Sequence, residues 1–331
     1  MSFVTVIVPV RNEARSVERT LRSLLAQDYP AGRFEVIVAD GGSTDDTVPI
    51  VRRVQAEYAN LHLVYNPDRF SSAGRNLAVR HMAGDVAVVV DGHCHVPDKQ
   101  YLSYLVDAFR LGDADCLGRP QPLDAPNPTP YQQAVAVARH SRLGHNPDSD
   151  IYSDQPKFVP PQNTAIAYCR TVFHQIGLFD QQFDACEDVE FNHRVYAAGL
   201  SCYFDPRLKI AYHPRGTWRG LFVQLSRYGA GRAKLSRKHP RSLTLPALIP
   251  PAWGMWVAVG LMFSLLVPSF GPVYAISLGL YVMALLAAAA WLGRGQPAII
   301  TAHIPAVFLA IHFGFAWGFV KEMVRPLFRT R

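Results

Sequence analysis

The sequence predicts an α/β domain, a mainly parallel sheet with helices on both faces, followed by C-terminal transmembrane helices. Three observations predict it. Apolar strand-like runs alternate with helix-period segments over the first ninety residues, the pattern of a parallel sheet covered by helices. The charge is partitioned: of the net +7 over 331 residues, 1–206 carry −7, 207–244 carry +10 and 245–331 carry +4. No carboxylate stands between Asp205 and Glu322, and three long apolar runs lie in that gap. With 49 % hydrophobic and only 18 % charged residues, intrinsic disorder is excluded, and Gly and Pro show no repeat period. Three regions are expected: a domain over 1–206, a basic, partly interfacial helical collar over 207–244, and a membrane domain of two or three hydrophobic helices over 245–331.

Phe3–Val8 reads as an apolar strand. Over Glu13–Gln27, Val17, Leu21, Leu24 and Leu25 recur at helical period. Phe34–Ala39 is a second strand, and Gly41-Gly42-Ser43-Thr44-Asp45-Asp46 is a turn that caps a helix reaching Tyr58. Leu61–Tyr65, Ala73–Met82 and Val86–Val90 read as strand, helix and strand. Parallel α/β sheets bind ligands at the carboxyl ends of their strands. Those ends are Pro9–Glu13, Asp40–Ser43 and Asp91–His93, so three polar strand exits should converge on one crevice. The glycine spacings of dinucleotide-binding and P-loop motifs are absent.

In the tail, 252–267, 273–292 and 298–320 are free of Asp, Glu, Lys and Arg. About 20 apolar residues span a bilayer core; the first run is short unless Pro250 and Pro251 continue it. Pro268–Pro272 is a tight connection for a helical hairpin. Arg232, Lys234, Arg237, Lys238 and Arg241 precede the first run, and the positive-inside rule places them in the cytoplasm. Three full spans would then put Lys321, Arg325, Arg329 and Arg331 on the opposite side, against the same rule. Either one run is re-entrant or interfacial, or the collar dominates. His303, Pro305 and His312 mark the third run as irregular or protein-facing. The N-terminus reads as a strand rather than a secretory signal, and five scattered cysteines without a CxxC pair suit a reducing compartment.

Two acidic points carry candidate chemistry. The strand at 86–90 delivers Asp91 and His93 two residues apart and on one side, a carboxylate and an imidazole able to hold a divalent ion on a diphosphate; His95 points the same way. Glu187 and Asp188 open a helix, where carboxylates favour the dipole whatever else they do. One of them, near a metal-bound sugar donor, can act as general base on an acceptor hydroxyl.

At these residues the chain resembles the family 2 glycosyltransferases of the GT-A fold, and among them the membrane-anchored group that includes the succinoglycan glucosyltransferases. Val8-Pro9-Val10-Arg11-Asn12-Glu13 is similar to the family's nucleotide-binding start, and Asp40 falls where the family contacts the base. Gly74-Arg75-Asn76 matches a loop near the diphosphate. Asp91-Gly92-His93 stands for the family's D-x-D, Glu187-Asp188 for its E-D pair, and Gln224-Leu225-Ser226-Arg227-Tyr228 for the Q-x-x-R-W of processive synthases, with Tyr for Trp. His93 departs from D-x-D, and His213 is the later histidine that would complete a D-x-H metal site.

The resemblance implies an inverting transfer from a UDP- or GDP-sugar. Pro9, Arg11, Glu13, Asp40, Arg75 and Asp91 would bind the nucleotide. Asp91, His93 and His213 would hold Mg²⁺ or Mn²⁺, and Asp188, with Glu187 orienting or substituting for it, would act as base. Gln162, Asn163, Gln224, Arg227 and Tyr228 are the expected sugar contacts. The expected acceptor is a polyprenyl-diphosphate-linked saccharide at the inner membrane, in exopolysaccharide or envelope glycan synthesis, with anionic lipids against the collar. Transfer to polyprenyl phosphate and a non-catalytic nucleotide-sugar-binding scaffold are the alternatives. Nucleic acid is not an expected partner, because the basic residues flank a membrane segment. Trp218, Leu221, Phe222 and Leu225 share one helix face, suited to the bilayer surface or to packing.

Overall fold

The computed structural model describes residues 2–125, 127–145 and 150–325, with the Asn163 side chain left out of account. The chain divides into two units, one of 1–125 and 148–213, the other of 126–147 and 214–331. The segment 127–145, which a domain over 1–206 would include, therefore belongs with the C-terminal helices.

In the first unit, β1 (Val4–Val10), α1 (Val17–Leu25), β2 (Phe34–Asp40), α2 (Thr47–Gln55), β3 (Leu61–Tyr65), α3 (Ser71–His81) and β4 (Val86–Val89) alternate as expected. β5 (Cys94–His95), α4 (Tyr101–Gly112) and β6 (Cys116–Gly118) follow; α5 (Pro130–His140) is part of the other unit. The first unit resumes with β7 (Lys157–Phe158), β8 (Ala165–Cys169), α6 (Arg170–Ile176), α7 (Glu187–Ala197), β9 (Cys202–Phe204) and β10 (Ala211–Tyr212). The eight-stranded sheet has the order β3-β2-β1-β4-β8-β6-β9-β7. β1 to β4 are mutually parallel, and β8 runs antiparallel to both β4 and β6. β1 and β2 are mostly apolar and buried on both faces, and within them the polar Thr5 and Glu35 bond to each other. Val4, Val6 and Val8 enter the cluster that holds Val17, Leu21 and Leu24 of α1, whereas Ile7 enters the one that holds Ala78, Phe173 and Phe191. That is the period of two that a strand imposes.

A separate two-stranded ribbon pairs β5 with β10, His95 opposite Ala211 and Cys94 opposite Tyr212. It brings the residues just after β4 to those just before His213. No periodicity forecasts it, because each strand is two residues long.

The second unit adds α8 (Trp218–Lys238), α9 (Leu245–Leu266), α10 (Gly271–Leu292) and α11 (Ala298–Met323). α9 continues through Pro250 and Pro251, which lengthens the short first run to 22 residues. α9, α10 and α11 are each long and apolar enough to cross a membrane. α9 and α10 form an antiparallel hairpin: Trp256 Nε1 donates to Ser277 Oγ at 3.0 Å, and Tyr274 Oη donates to the Val257 carbonyl at 2.7 Å.

α8 runs alongside α11 in the same direction. Trp218 Nε1 donates to the Ala306 carbonyl at 3.0 Å, and Arg237 Nη1 donates to the Glu322 carbonyl at 3.0 Å. Between these ends glycines set the spacing: a Cβ on Gly229 would strike the Phe315 carbonyl, and one on Gly318 the Ser226 carbonyl. Leu221 and Leu225 are buried, and the Trp218 and Phe222 rings stack. His303 and His312 of α11 face protein, as the sequence suggests. His312 bonds Tyr281 Oη at 2.9 Å and the Leu143 carbonyl at 3.1 Å, and the His303 ring meets Tyr131 edge-on.

Candidate active site

The exits of β1 and β2 are tied to each other. The Asn12 amide donates to Ser43 Oγ, the Glu13 amide to Thr47 Oγ1, and the Thr44 amide to Asn12 Oδ1, at 2.8–2.9 Å. Asn12 has a left-handed backbone (φ 56°), which asparagine tolerates better than most residues. The buried Asp40 carboxylate accepts from the Gly42 and Ser43 amides and from Ser43 Oγ. Its visible task is therefore to shape the turn after β2. Pro9 is half-buried beside this loop and Arg11 is exposed.

Arg75 stands at the centre. The side chain comes from α3 and is buried, with Nη2 3.2 Å from Glu187 and 3.6 Å from Asp91. One guanidinium thus joins the carboxylate after β4 to the first carboxylate of α7. Its Nε and Nη1 are buried and have no hydrogen-bond partner among the described residues. Burial alone would lower the Arg75 pKa, but Glu187, Asp91 and Asp188 hold it above the usual value. Burial raises the pKa of Glu187, and Arg75 opposes that rise. Asp188, the next residue, is half-buried.

α7 is held firmly. Arg194 forks onto the fully buried Glu190 and donates to the Ile176 and Leu178 carbonyls at 2.6 and 2.7 Å. Asn76 of α3 clasps both backbone groups of Phe179 at 2.8 Å, and Ser72 reaches the Phe183 carbonyl. The loop before α7 is thereby bolted to the helix that carries Arg75. Cys186, immediately before Glu187, is left-handed (φ 62°). For a residue with a Cβ that conformation is strained, and such strain persists only where the surroundings impose it.

The three histidines are less open than the sequence suggests. His93 Nδ1 lies 3.0 Å from Glu13 Oε1, and its ring meets Tyr212 edge-on. Glu13, expected at the nucleotide, is here a histidine partner. Arg19 Nη2 approaches His213 Nε2 at 2.8 Å and Nδ1 at 3.3 Å. Burial, then the charge of Arg19, lowers the pKa of both His213 and His95, so both favour the neutral form that a metal needs. The donor chemistry, one carboxylate and two imidazoles on ends joined by the β5–β10 ribbon, suits Mn²⁺ better than a purely oxygen-seeking ion. As the side chains stand, however, no three metal-type groups are gathered closely enough to grip an ion among the described residues.

Residues 5–176 match the Glycosyl transferase family 2 domain, more than half of the chain. The chain belongs to that family. It is 26 % identical over 321 residues to the succinoglycan biosynthesis protein ExoA of Rhizobium meliloti, covering 96 % of this chain and 94 % of that protein. It is 27 % identical over 267 residues to the glycosyltransferase AglE of Haloferax volcanii, covering 79 % and 82 %. In fold it resembles the mannosyltransferase PcManGT of Pyrobaculum calidifontis, solved with GDP-Man and Mn²⁺, with a TM-score of 0.59 at 22 % identity over 98 % of this chain and 87 % of that one. The sheet, the helices and these neighbours together make the first unit a GT-A fold.

The remaining family motifs are placed as follows. Gln162 is half-buried in a 3₁₀ turn, Pro161–Asn163, that packs against α7; the Asn163 side chain lies outside the described residues. Gln224, Arg227 and Tyr228 sit on α8 in the second unit, with Arg227 and Tyr228 exposed. One residue escapes sequence reasoning altogether. Arg119, just past β6, is 4 % exposed, and its Nε and Nη1 have no hydrogen-bond partner among the described residues. β6 runs in the direction of β4, so Arg119 leaves the sheet at the same edge as Asp91. A buried guanidinium with no ion pair among the described residues befits an anionic ligand. The only sequence signal is an Arg at a strand exit.

Proposed function

We propose that this family 2 glycosyltransferase moves a sugar, with inversion, from a UDP- or GDP-sugar to a hydroxyl of a polyprenyl-diphosphate-linked saccharide at the cytoplasmic face of the inner membrane. The observation that carries the reading is Arg75, which meets both Asp91 and Glu187 and so ties the donor-side carboxylate to the pair that would serve the acceptor. Relatives point the same way: one is a succinoglycan biosynthesis protein, and another, from Methanococcus voltae, is named for transfer onto a dolichyl-linked saccharide.

In this reading the tied loops after β1 and β2, with Pro9, Arg11 and Asp40, receive the nucleoside. Asp91, His93 and His213 would hold Mn²⁺ or Mg²⁺ once Arg19 leaves His213. Such an ion would neutralise charge on the departing diphosphate. Arg75 and Arg119 supply fixed positive charge from the protein itself. Glu187, paired with Arg75, fixes the start of α7, so that Asp188 meets the acceptor hydroxyl and takes its proton as the new bond forms. Gln162, Asn163, Gln224, Arg227 and Tyr228 are the proposed sugar contacts.

The test is a screen of sugar nucleotides against short lipid-linked acceptors, with and without Mn²⁺, followed by anomer analysis of the product. Retention of the donor's anomeric configuration would refute the inverting mechanism. Asp188→Asn separates the acceptor classes: a hydroxyl acceptor needs the base, whereas a polyprenyl phosphate oxygen does not.

A further inference from the structure

Five residues other than glycine have a left-handed backbone among the described residues: Asn12, Arg69, Asp113, Asn127 and Cys186. Asparagine and aspartate take that conformation readily, whereas for arginine and cysteine it is costly and persists only where the surroundings impose it. Cys186 leads into Glu187 and belongs to the site already described. Arg69, with φ 64°, stands in the loop between β3 and α3.

That loop holds Arg69 over the exit of β2. The Asn66 amide donates to the Asp40 carbonyl at 2.8 Å, and Asn66 Nδ2 donates to the Phe70 carbonyl at 2.9 Å. Asn66 is buried, so the turn is pinned from beneath. The Arg69 main chain packs on Gly41, where a Cβ would stand 2.9 Å from the Arg69 carbonyl oxygen. Its side chain runs past Gly42, with Nε 3.7 Å from the place of a Cβ there. Two successive glycines thus make room for one arginine. Arg69 is exposed, and its guanidinium has no ion pair or hydrogen bond among the described residues. The Asp40 carboxylate, by contrast, is engaged through both oxygens by Gly42 and Ser43. Arg69 is therefore the cation that stands over this turn with its donors unspent.

The sugar-transfer reading seats the nucleoside at these loops and leaves UDP and GDP open; the inference here rests on that reading and divides the two. A guanidinium offers parallel N–H bonds in a fixed plane. Guanine presents O6 and N7 side by side, two acceptors that match the fork. Uracil sets an N–H donor between its carbonyls and gives the fork a single acceptor. We propose that Arg69 reads the base of the donor nucleotide and selects guanine, so that the donor is a GDP-sugar. The strained backbone fixes the side from which the fork meets the base.

The experiment is calorimetry on the detergent-solubilised full chain with Mn²⁺, using GDP, UDP and the deaza analogue of GDP in which C–H replaces N7. GDP should bind about tenfold or more tightly than UDP, and loss of N7 should weaken binding about tenfold. Arg69→Asn puts a residue that tolerates the left-handed region in place of the fork. It should weaken GDP about tenfold, leave UDP within about a factor of three, and make GDP and its deaza analogue equal. UDP bound as tightly as GDP, or GDP bound unchanged by Arg69→Asn, overturns the proposal. An equal loss for GDP and UDP would mean attraction to phosphate and overturns it as well. If neither nucleotide binds the unsubstituted chain, the sugar-nucleotide reading falls and this inference with it.

Discussion

Removing Arg75 should expose how much of the site rests on one guanidinium. In Arg75→Met, Glu187 stays buried at 6 % exposure without its cation. Its cheapest escape is to take up a proton. At pH 7.5, neutralising a carboxyl whose ordinary pKa is 4.5 costs about 4 kcal/mol. That agrees with the ~3–5 kcal/mol lost when one partner of a buried pair is deleted. Asp91 adds little, because it is farther away and partly solvated. For a unit of this size about 4 kcal/mol corresponds to a Tm lowered by roughly 8–15 °C. Glu187→Gln in the same background removes the stranded charge, so the double variant should recover most of that loss. The sign with pH is also fixed. In Arg75→Met the folded state holds a proton that the unfolded state releases above pH 4.5, so the deficit should shrink by about 1.4 kcal/mol for each unit of acidification toward that value. The assay is thermal unfolding of the detergent-solubilised full chain at pH 5.5, 6.5 and 7.5. A fall in Tm under about 3 °C, or additive effects of the two substitutions, would refute the reasoning.

Other outcomes follow from the same geometry. Asp188→Asn should lower transfer to a hydroxyl acceptor about 10²–10⁴-fold and leave donor binding, followed by calorimetry, within a factor of three. Arg19→Met should tighten Mn²⁺ binding several-fold in a titration followed by electron paramagnetic resonance, because Arg19 Nη2 now sits against the His213 ring, 2.8 Å from Nε2; unchanged affinity would mean that the two do not compete. Arg194→Ala strands the buried Glu190 and two carbonyls and should cost about 3–5 kcal/mol of stability, read as a lower Tm. Burial pushes the Cys94 thiol up to about 12 and Cys169 to about 11. At pH 7.5 fewer than about one in a thousand of either would be thiolate, so mass spectrometry after maleimide treatment should find neither modified until the protein is denatured.

The first ninety residues were legible because each strand and helix there is long enough to show its period. Leu61–Tyr65 falls where the pattern puts it, and β1, β2 and β4 end within two residues of expectation. The three polar strand exits were legible for the same reason, since strand direction decides where they emerge. The histidine environment was not. It depends on a ribbon of two-residue strands and on Arg19, which lies 194 positions from His213. Arg75 could be located by its motif, but its link to Glu187 is a tertiary contact that no local pattern encodes. Apolar length in the tail revealed three helices and hid the difference between them. That difference lies in what covers α11, and the glycines responsible look in sequence like any others.

The α8–α11 seam also has a temporal side. α8 leaves the ribosome some 85–88 residues before the partner that covers it. In that interval α9 and α10 are made while the glycine face of α8 has nothing against it. α11, made after α8, α9 and α10, is thus the helix that closes the unit. Substitutions at Gly229, Gly314 or Gly318 should therefore betray themselves during biogenesis, as chains inserted but never completed, before any defect in chemistry is seen.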